Sequence, residues 1–217
     1  MRLAVFDYDG TLVDSQANIV RAMERTFADA KLPPPDPHAV RRVVGLSLVQ
    51  AMEMLLPDAE AARHARLAEA YKRVFQQMRA NSHLEQEPLF TGIPELLEQL
   101  RNEGWLLAVA TGKSDRGLQY TLEHHGIHDR FISLQTADRH PSKPHPSMLL
   151  QCLADAGVGP DAAAIIGDTV FDMGMGAAAG VRGIGVEWGY HDPGELLAAG
   201  AIGVAGDAAQ LKALLDG

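Results

Sequence analysis

Two aspartates that follow a short apolar run near the start of the chain form its most reactive pattern. Asp7 and Asp9 come directly after the run 3–6, and Gly10 and Thr11 follow them. Alternate side chains of an extended segment share a face, so both carboxylates point to the same side. At 4 Å and an effective dielectric constant near 20, they would repel by about 4 kcal/mol. Such a pair requires a proton, a cation or a catalytic role.

Further polar residues stand at or near the ends of later apolar runs. They are an alcohol, an ammonium group and two acids, namely Thr111, Lys143, Asp168 and Asp172. Ligands of open parallel sheets bind outside the carboxyl ends of the strands. Asp7, Thr111 and Asp168 each end an apolar run, so we expect these three side chains to meet in one crevice.

The charge of this set indicates phosphate chemistry with a metal ion. Four ionised carboxylates carry four negative charges, and a phosphate monoester adds about two more. Mg²⁺ prefers oxygen ligands and binds through one or two carboxylates together with phosphate and water. One Mg²⁺ and the ammonium group of Lys143 would offset three of these charges. Positioning and cationic stabilisation do most of the work in phosphoryl transfer, so the set suits that reaction.

The spacing of apolar residues changes along the chain. Residues 15–84 have helical periodicity, interrupted by the proline tract 33–37, which cannot continue a helix. From Pro88 onward, strands alternate with helices, as is typical of a parallel sheet covered on both faces. The predicted fold is therefore α/β, a doubly wound parallel sheet formed by residues 1–14 and 85–217. An all-α helical cap formed by residues 15–84 is inserted into it.

Apolar runs and capping signals give approximate bounds for the elements. Ser15 is a candidate N-cap for the first helix. Strands are expected at 3–6, 105–110, 131–134, 162–166, 181–186 and 202–204. Helices after the first are expected near 38–44, 47–56, 58–80, 93–102, 115–125 and 146–156, with a small-residue helix ending at Gly180.

The composition excludes several classes of partner. The chain of 217 residues has 19 basic and 28 acidic residues and a formal charge of -9, a poor match for nucleic acid or an anionic membrane. No apolar run reaches the roughly 18 residues of a membrane span, and no secretory signal is visible. Cys152 is the only cysteine, which fits a reducing compartment. We therefore expect a cytoplasmic protein with no nucleic-acid or membrane partner.

Taken together, these motifs resemble those of the haloacid dehalogenase-like hydrolase superfamily, in its branch with a helical cap. The resemblance covers nearly the whole chain, and the motifs occur in the family's order. The matching residues are Asp7, Asp9 and Thr11 of the first motif, Thr111 of the second, Lys143 with its following proline of the third, and Asp168 and Asp172 of the fourth. The stretch 185–190 also resembles phosphoglycolate phosphatases, though less specifically.

The resemblance implies how the acids would act. Asp7 would be the nucleophile, forming an aspartyl-phosphate that divides one difficult hydrolysis into two easier steps. Asp9 would protonate the leaving alcohol and then deprotonate the attacking water. Mg²⁺ would be held by the Asp7 carboxylate, the backbone carbonyl of Asp9 and Asp168.

The other residues of the motifs would hold the phosphate and the substrate. Thr111 would donate a hydrogen bond to a phosphoryl oxygen, and Lys143 would balance the charge of nucleophile and phosphate. Asp172 would orient Lys143 or a water molecule on the metal. Relatives place a substrate-facing loop at residues 45–47. The predicted substrate-binding residues are thus Thr11, Thr111, Gly112, Lys143 and Ser47.

The sequence predicts a Mg²⁺-dependent phosphatase for a small phosphate ester, either a monomer or a homodimer. The resemblance implies phosphoglycolate as the leading candidate substrate. A halide leaves without a proton whereas an alkoxide needs one, so an acid at position 9 disfavours a dehalogenase. A phosphomutase, which returns the phosphate to its substrate, stays open on the motifs alone. A signalling module phosphorylated on aspartate is disfavoured, because receivers carry the nucleophile in the middle of a shorter chain.

Overall fold

Six parallel strands form one sheet. In the computed structural model, which describes residues 1–217, their bounds are β1 (Arg2–Phe6), β2 (Trp105–Thr111), β3 (Ser133–Thr136), β4 (Ala163–Gly167), β5 (Arg182–Val186) and β6 (Ala201–Ala205). The strand order is β3-β2-β1-β4-β5-β6, and every neighbouring pair is parallel. The chain crosses from one half of the sheet to the other between β3 and β4, so a crevice opens at the carboxyl ends of β1 and its neighbours.

Ten α-helices complete the fold. The first four in the chain, all between β1 and β2, are α1 (Gln16–Asp29), α2 (Pro37–Arg42), α3 (Leu48–Leu55) and α4 (Ala61–Ala80). The other six are α5 (Ile93–Asn102), α6 (Asp115–His124), α7 (Ser147–Ala156), α8 (Val170–Ala179), α9 (Pro193–Ala198) and α10 (Ala208–Asp216). None of the helices combines the length and the apolar composition of a membrane-spanning segment.

The centre of the sheet is buried on both faces because side chains of β1, β2 and β4 alternate between two apolar clusters. Ala4 and Phe6 of β1 pack on one side, with leucines of α5, α6 and α10. Leu3 and Val5 pack on the other side, with Cys152 and its apolar neighbours on α7 and with α8. A large apolar side chain contributes about 1.5–3 kcal/mol when it is fully buried, so β1 is anchored from both sides. The predicted doubly wound parallel sheet is confirmed.

Helices α1 to α4 share an apolar cluster of their own. Met23 and Phe27 of α1 pack there with Leu67 and Val74 of α4, apart from the two clusters that flank the sheet. Arg42 at the end of α2 joins this layer to the rest of the protein. Its guanidinium donates to both carboxylate oxygens of Glu195, at 2.5 and 2.9 Å. The division into core and cap remains a prediction, which this packing favours.

Two local predictions differ from the structure. Strand β3 begins two residues later than expected and includes Gln135 and Thr136, which are polar but buried. Ser15 precedes α1 as predicted, but its hydroxyl makes no capping hydrogen bond. It donates to Oδ1 of Asp9 instead, at 2.6 Å. A residue expected to stabilise a helix end therefore contacts one of the reactive acids.

Candidate active site

Adjacent strands bring the predicted reactive side chains to one edge of the sheet. Asp7 directly follows β1, Thr111 is the last residue of β2, and Asp168 directly follows β4. Because β2, β1 and β4 are consecutive in the sheet, the ends that carry these residues lie side by side. Asp172 lies in the first turn of α8, just beyond Asp168. The structure therefore brings these strand ends to one edge of the sheet, and the shared crevice remains a prediction.

Lys143 reaches the acids from the loop between β3 and α7. Its Nζ lies 2.9 Å from Oδ1 of Asp7 and 2.7 Å from Oδ1 of Asp172. The lysine side chain is fully buried, at 0% exposure. Burial lowers the pKa of Lys143, but the adjacent Asp172 and Asp7 outweigh it and raise the pKa above its usual range. The ammonium group therefore stays charged and offsets part of the charge of the acids.

Asp168 is held by two hydrogen bonds and by close backbone approach. Thr11 Oγ1 donates to its Oδ1 at 2.7 Å, and the backbone N–H of Tyr190 donates to its Oδ2 at 3.0 Å. A Cβ at Gly10 would lie 2.3 Å from Asp168 Oδ2, and a Cβ at Gly189 would lie 2.1 Å from Asp168 Cβ. Only glycine fits at these two positions. Thr11, predicted to contact substrate, directs its hydroxyl to this carboxylate.

Asp172 has two kinds of partner. It completes a capping box with Thr169, whose N–H and Oγ1 donate to its Oδ2 at 3.2 and 2.6 Å. Its other oxygen, Oδ1, accepts the hydrogen bond from Lys143. A helix cap and a contact with the lysine therefore occur in the same carboxylate. The cap fixes the orientation in which Asp172 meets Lys143.

The buried acids have the ligand atoms and the charge that a divalent cation requires. Oxygens of Asp7, Asp168 and Asp172 all lie within 4.8 Å of one another. Asp7 Oδ2 is buried and has no hydrogen-bond partner. Burial raises the pKa of Asp7 to about 7, and burial together with Asp7 and Asp172 raises that of Asp168 well above its usual value. Hard oxygen ligands with excess negative charge fit Mg²⁺.

Asp9 is held by a lysine that the sequence reasoning missed. Lys113 Nζ donates to the two oxygens of the Asp9 carboxylate at 2.6 and 2.9 Å. The lysine also lies over the ring of Tyr8, with 5.3 Å from Nζ to the ring centroid. One feature of the sequence could have indicated this contact. Lys113 comes two residues after Thr111, so it lies at the same edge of the sheet as the acids. Asp9 therefore has two donors, Lys113 and Ser15.

The remaining predicted substrate contacts differ in their placement. The hydroxyl oxygen of Thr111 accepts a hydrogen bond from the N–H of Lys113 at 3.3 Å. Gly112 lies against the segment between α2 and α3, because a Cβ there would be 2.4 Å from the Leu46 carbonyl oxygen. The N–H of Ser47 donates to Ser142 Oγ at 2.7 Å. Thr111 and Gly112 line the cavity described next, whereas Ser47 does not.

A cavity of about 140 Å³ opens from Asp7 and Asp9. Apolar side chains from the first four helices and their connections form much of its wall: Ile19, Met23, Val40, Val43, Val44, Leu46, Leu48, Ala51, Tyr71 and Phe75. Its polar lining includes four cationic side chains, those of Lys72, Arg79, Lys113 and Arg116. The cavity therefore joins the reactive acids of the sheet edge to an apolar and basic surface supplied largely by the helical layer.

A doubly wound parallel sheet with a buried lysine among acids at its carboxyl edge defines an α/β enzyme with an acid–lysine centre. The chain belongs to the haloacid dehalogenase-like hydrolase family, because the sequence model of that family matches residues 4–186. The matched segment runs from β1 to the end of β5. It contains both reactive acids that follow β1, together with Thr111, Lys143 and Asp172.

Two of the curated relatives carry phosphatase names. The chain is 37% identical over 202 residues to the probable phosphatase IndB of Dickeya dadantii, with 91% of this chain and 86% of the relative covered. It is 33% identical over 195 residues to the phosphoglycolate phosphatase of Pseudomonas putida, with 88% of this chain and 71% of that relative covered. A crystal structure of a hydrolase from Pseudomonas syringae superposes with a TM-score of 0.87 at 26% identity, covering 100% of this chain and 98% of that one.

Proposed function

We propose that this protein is a Mg²⁺-dependent phosphatase that hydrolyses a small phosphomonoester through an aspartyl-phosphate. The observation that carries this proposal is the arrangement of Asp7, with one oxygen bound by Lys143 and the other free. A nucleophilic carboxylate needs one oxygen fixed and the other open toward phosphorus. The names of the relatives support a phosphatase, and the acids support a metal-assisted reaction.

Asp7 begins the reaction. Its free Oδ2 attacks phosphorus, the bond from phosphorus to the ester oxygen breaks, and the phosphoryl group is transferred to the carboxylate. Tyr8 N–H and Lys143 both bind the opposite oxygen, at 2.7 and 2.9 Å, so the side chain is fixed before substrate arrives. Preorganisation of this kind lowers the barrier because no reorientation is required in the transition state.

Asp9 supplies and then removes a proton. Its carboxylic acid protonates the departing alkoxide, which leaves as a neutral alcohol, and the resulting carboxylate takes a proton from the attacking water. That water cleaves the acyl phosphate, releases inorganic phosphate and restores Asp7. Asp9 is well placed for both steps because it lines the same cavity as Asp7 and is oriented by Lys113 and Ser15.

Charge on the phosphoryl group is stabilised by fixed donors. Lys143 faces Asp7 with its ammonium group, and Asp172 holds that group in place. Thr111 donates its hydroxyl hydrogen to a phosphoryl oxygen. We assign the metal to the Asp7 carboxylate, the Asp9 backbone carbonyl and Asp168, with Asp172 close enough to take part. When bound, Mg²⁺ supplies positive charge that offsets the carboxylates and the phosphate.

Residues 15–84 act in this proposal as a cap over a core formed by residues 1–14 and 85–217. The cap covers the reacting groups and limits the access of water, which strengthens the electrostatic interactions inside the site. Its own apolar cluster and its contribution to the cavity wall support this role. The close approach of Gly112 to residues 45–46 supports a cap that lies over the sheet edge.

The decisive experiment is a screen of the purified protein with Mg²⁺ against a panel of phosphomonoesters, with release of inorganic phosphate as the readout. Phosphoglycolate is the leading candidate because of the phosphoglycolate phosphatases among the relatives. The panel includes sugar phosphates and nucleoside monophosphates. Isomerised sugar phosphate without free phosphate would establish a phosphomutase instead. A stable phospho-aspartate without turnover would establish a signalling module.

A further inference from the structure

The cavity above the acids contains an arginine that no acid of the protein neutralises. Arg79 lies in the last turn of α4 and lines the same cavity as Asp7 and Asp9. Its Nε is buried and has no hydrogen-bond partner. None of the ion pairs of the structure includes Arg79. A buried donor without an acceptor is costly, so the site favours a ligand that supplies one.

Aromatic rings fix the position of this guanidinium. Its central carbon lies 3.9 Å from the centroid of the Tyr120 ring and 5.7 Å from that of the Phe75 ring. Tyr120 belongs to α6 and Phe75 to α4, so the guanidinium bridges the helical layer and the sheet layer. A planar cation that stacks on a ring keeps its edge donors available. Arg79 is therefore held in place without using its hydrogen bonds.

The other cations of the cavity are engaged or exposed. Lys72 forms ion pairs with Glu69 and Asp138, at 3.1 and 3.6 Å. Lys113 is bound to Asp9. Arg116 is exposed at the surface. Of the four cationic side chains that line the cavity, only Arg79 combines a buried free donor with a fixed position.

One further acid lies within electrostatic range of Arg79. The positive charges of Lys113 and Arg79 lower the pKa of Glu87, although burial outweighs them and leaves that pKa raised. The carboxylate of Glu87 accepts a hydrogen bond from Asn18 at 2.9 Å and forms no ion pair with Arg79. Glu87 therefore does not occupy the free edge of the guanidinium.

We propose that Arg79 is a specificity-determining residue that binds a carboxylate on the alcohol part of the substrate. This inference rests on the proposed phosphatase function and narrows the substrates to phosphate esters of hydroxy acids. The planar guanidinium matches a carboxylate with two parallel hydrogen bonds. Apolar neighbours such as Met23 and Phe75 suit the carbon skeleton that joins the two anionic ends.

The test uses pairs of phosphate esters that differ only in a carboxylate. Phosphoglycolate is compared with ethyl phosphate, and carboxyphenyl phosphate with phenyl phosphate, all with Mg²⁺ and at matched ionic strength. We expect the wild-type protein to prefer the acid of at least one pair by roughly 10- to 100-fold in kcat/KM, as for a hydrogen bond to a charged group. The preference should reside mainly in KM.

Three variants assign this preference to Arg79. Arg79→Gln should abolish it by raising KM for the acid while leaving the neutral ester within about twofold. Arg79→Lys should retain part of it, because a point charge remains without the planar fork. Arg73→Gln is the matched control, since Arg73 is an exposed residue of the same helix and does not line the cavity. It should behave like the wild-type protein.

The possible outcomes separate this inference from the proposed function. Phosphate release with equal preference within both pairs would overturn the role of Arg79 and leave the phosphatase intact. An equal loss for acid and neutral ester in Arg79→Gln would show a purely structural role and would also overturn the inference. Absence of phosphate release from these four esters alone would overturn the inference. Absence of phosphate release from the whole panel of phosphomonoesters would overturn the proposed function as well.

Discussion

The ammonium group of Lys113 donates hydrogen bonds to both carboxylate oxygens of Asp9, at 2.6 and 2.9 Å. The two residues come from neighbouring strand ends, Asp9 beyond β1 and Lys113 beyond β2. Both side chains are largely removed from solvent, with 10% and 13% exposure, so water screens the pair little. The orientation of the proposed acid–base group thus depends on a neighbouring loop.

Replacement of Lys113 by Gln should lower kcat because Asp9 would keep only Ser15 as a fixed donor. General acid–base catalysis contributes typically 10²- to 10⁴-fold, and loss of orientation should forfeit roughly 10- to 100-fold of it. Steady-state kinetics with a simple alkyl phosphate measures the effect. Lys113→Arg serves as the comparison because it keeps the charge. An unchanged kcat in Lys113→Gln would remove Lys113 from the catalytic arrangement.

Replacement of Asp7 by Asn should abolish turnover while the protein stays folded. The amide is isosteric but is a poor nucleophile, so no phosphoryl group can be transferred. Folding should persist because the change removes a buried charge. Phosphate release measures the first effect and thermal unfolding the second. Residual turnover close to that of the wild-type protein would contradict the assignment of Asp7 as nucleophile.

The buried acids also predict how stability depends on pH. The pKa of Asp7, about 7 in the folded protein, lies above its ordinary value of 3.8 because of burial. A raised folded-state pKa stabilises the folded form below the unfolded pKa, and this contribution is lost as the pH rises through the folded value. Without Mg²⁺, the unfolding midpoint of the wild-type protein should therefore fall relative to that of Asp7→Asn between about pH 4 and about pH 8. A constant difference would contradict the raised pKa.

Mg²⁺ should reverse this loss, because the cation and the proton compete for the same carboxylates. Addition of Mg²⁺ to chelator-treated protein should raise the unfolding midpoint more at about pH 8 than at about pH 5. Differential scanning fluorimetry at constant ionic strength measures both shifts. K⁺ at matched ionic strength controls for screening. Equal shifts at both pH values would show that Mg²⁺ acts away from these acids.

Gly112 tests the contact between the helical layer and the sheet edge. An alanine Cβ at this position would lie 2.4 Å from the Leu46 carbonyl oxygen and 2.7 Å from that of Gly45, so the backbone must shift. A displacement of about 1 Å in a reacting arrangement can cost 10²-fold. Gly112→Ala should therefore lower kcat/KM by at least roughly tenfold. Gly159→Ala, where a Cβ would meet nothing within 4 Å, should have no effect.

Much of the fold could be predicted from the sequence because several of its apolar runs end at the candidate site residues. The end of β1 before Asp7 and that of β4 before Asp168 could be located in this way, since parallel strands share one carboxyl edge. The predicted bounds of β3 were two residues too early, because the strand contains polar residues and its hydrophobicity does not show where it begins and ends. Gln135 and Thr136 are buried there through side-chain partners that only the folded structure brings together.

The candidate site was less predictable where a side chain had more than one possible hydrogen-bond partner. The hydroxyl of Ser15 could cap a helix or bind an acid, and the folded arrangement puts Asp9 within its reach. Thr11 was expected to face substrate, yet its hydroxyl donates to a carboxylate that lies 157 positions away in sequence. Lys113 belongs to none of the sequence motifs. These choices depend on three-dimensional proximity, which sequence spacing does not encode.

The cavity wall comes largely from helices α1 to α4 and their connections, whereas the candidate carboxylates come from strand ends. If the protein acts as proposed, substitutions that reshape the wall change the compound that is bound, while the acids and the phosphate ester bond that they break stay the same. On such a scaffold, new specificities can evolve through a segment of some seventy residues, and the inherited chemistry passes on intact.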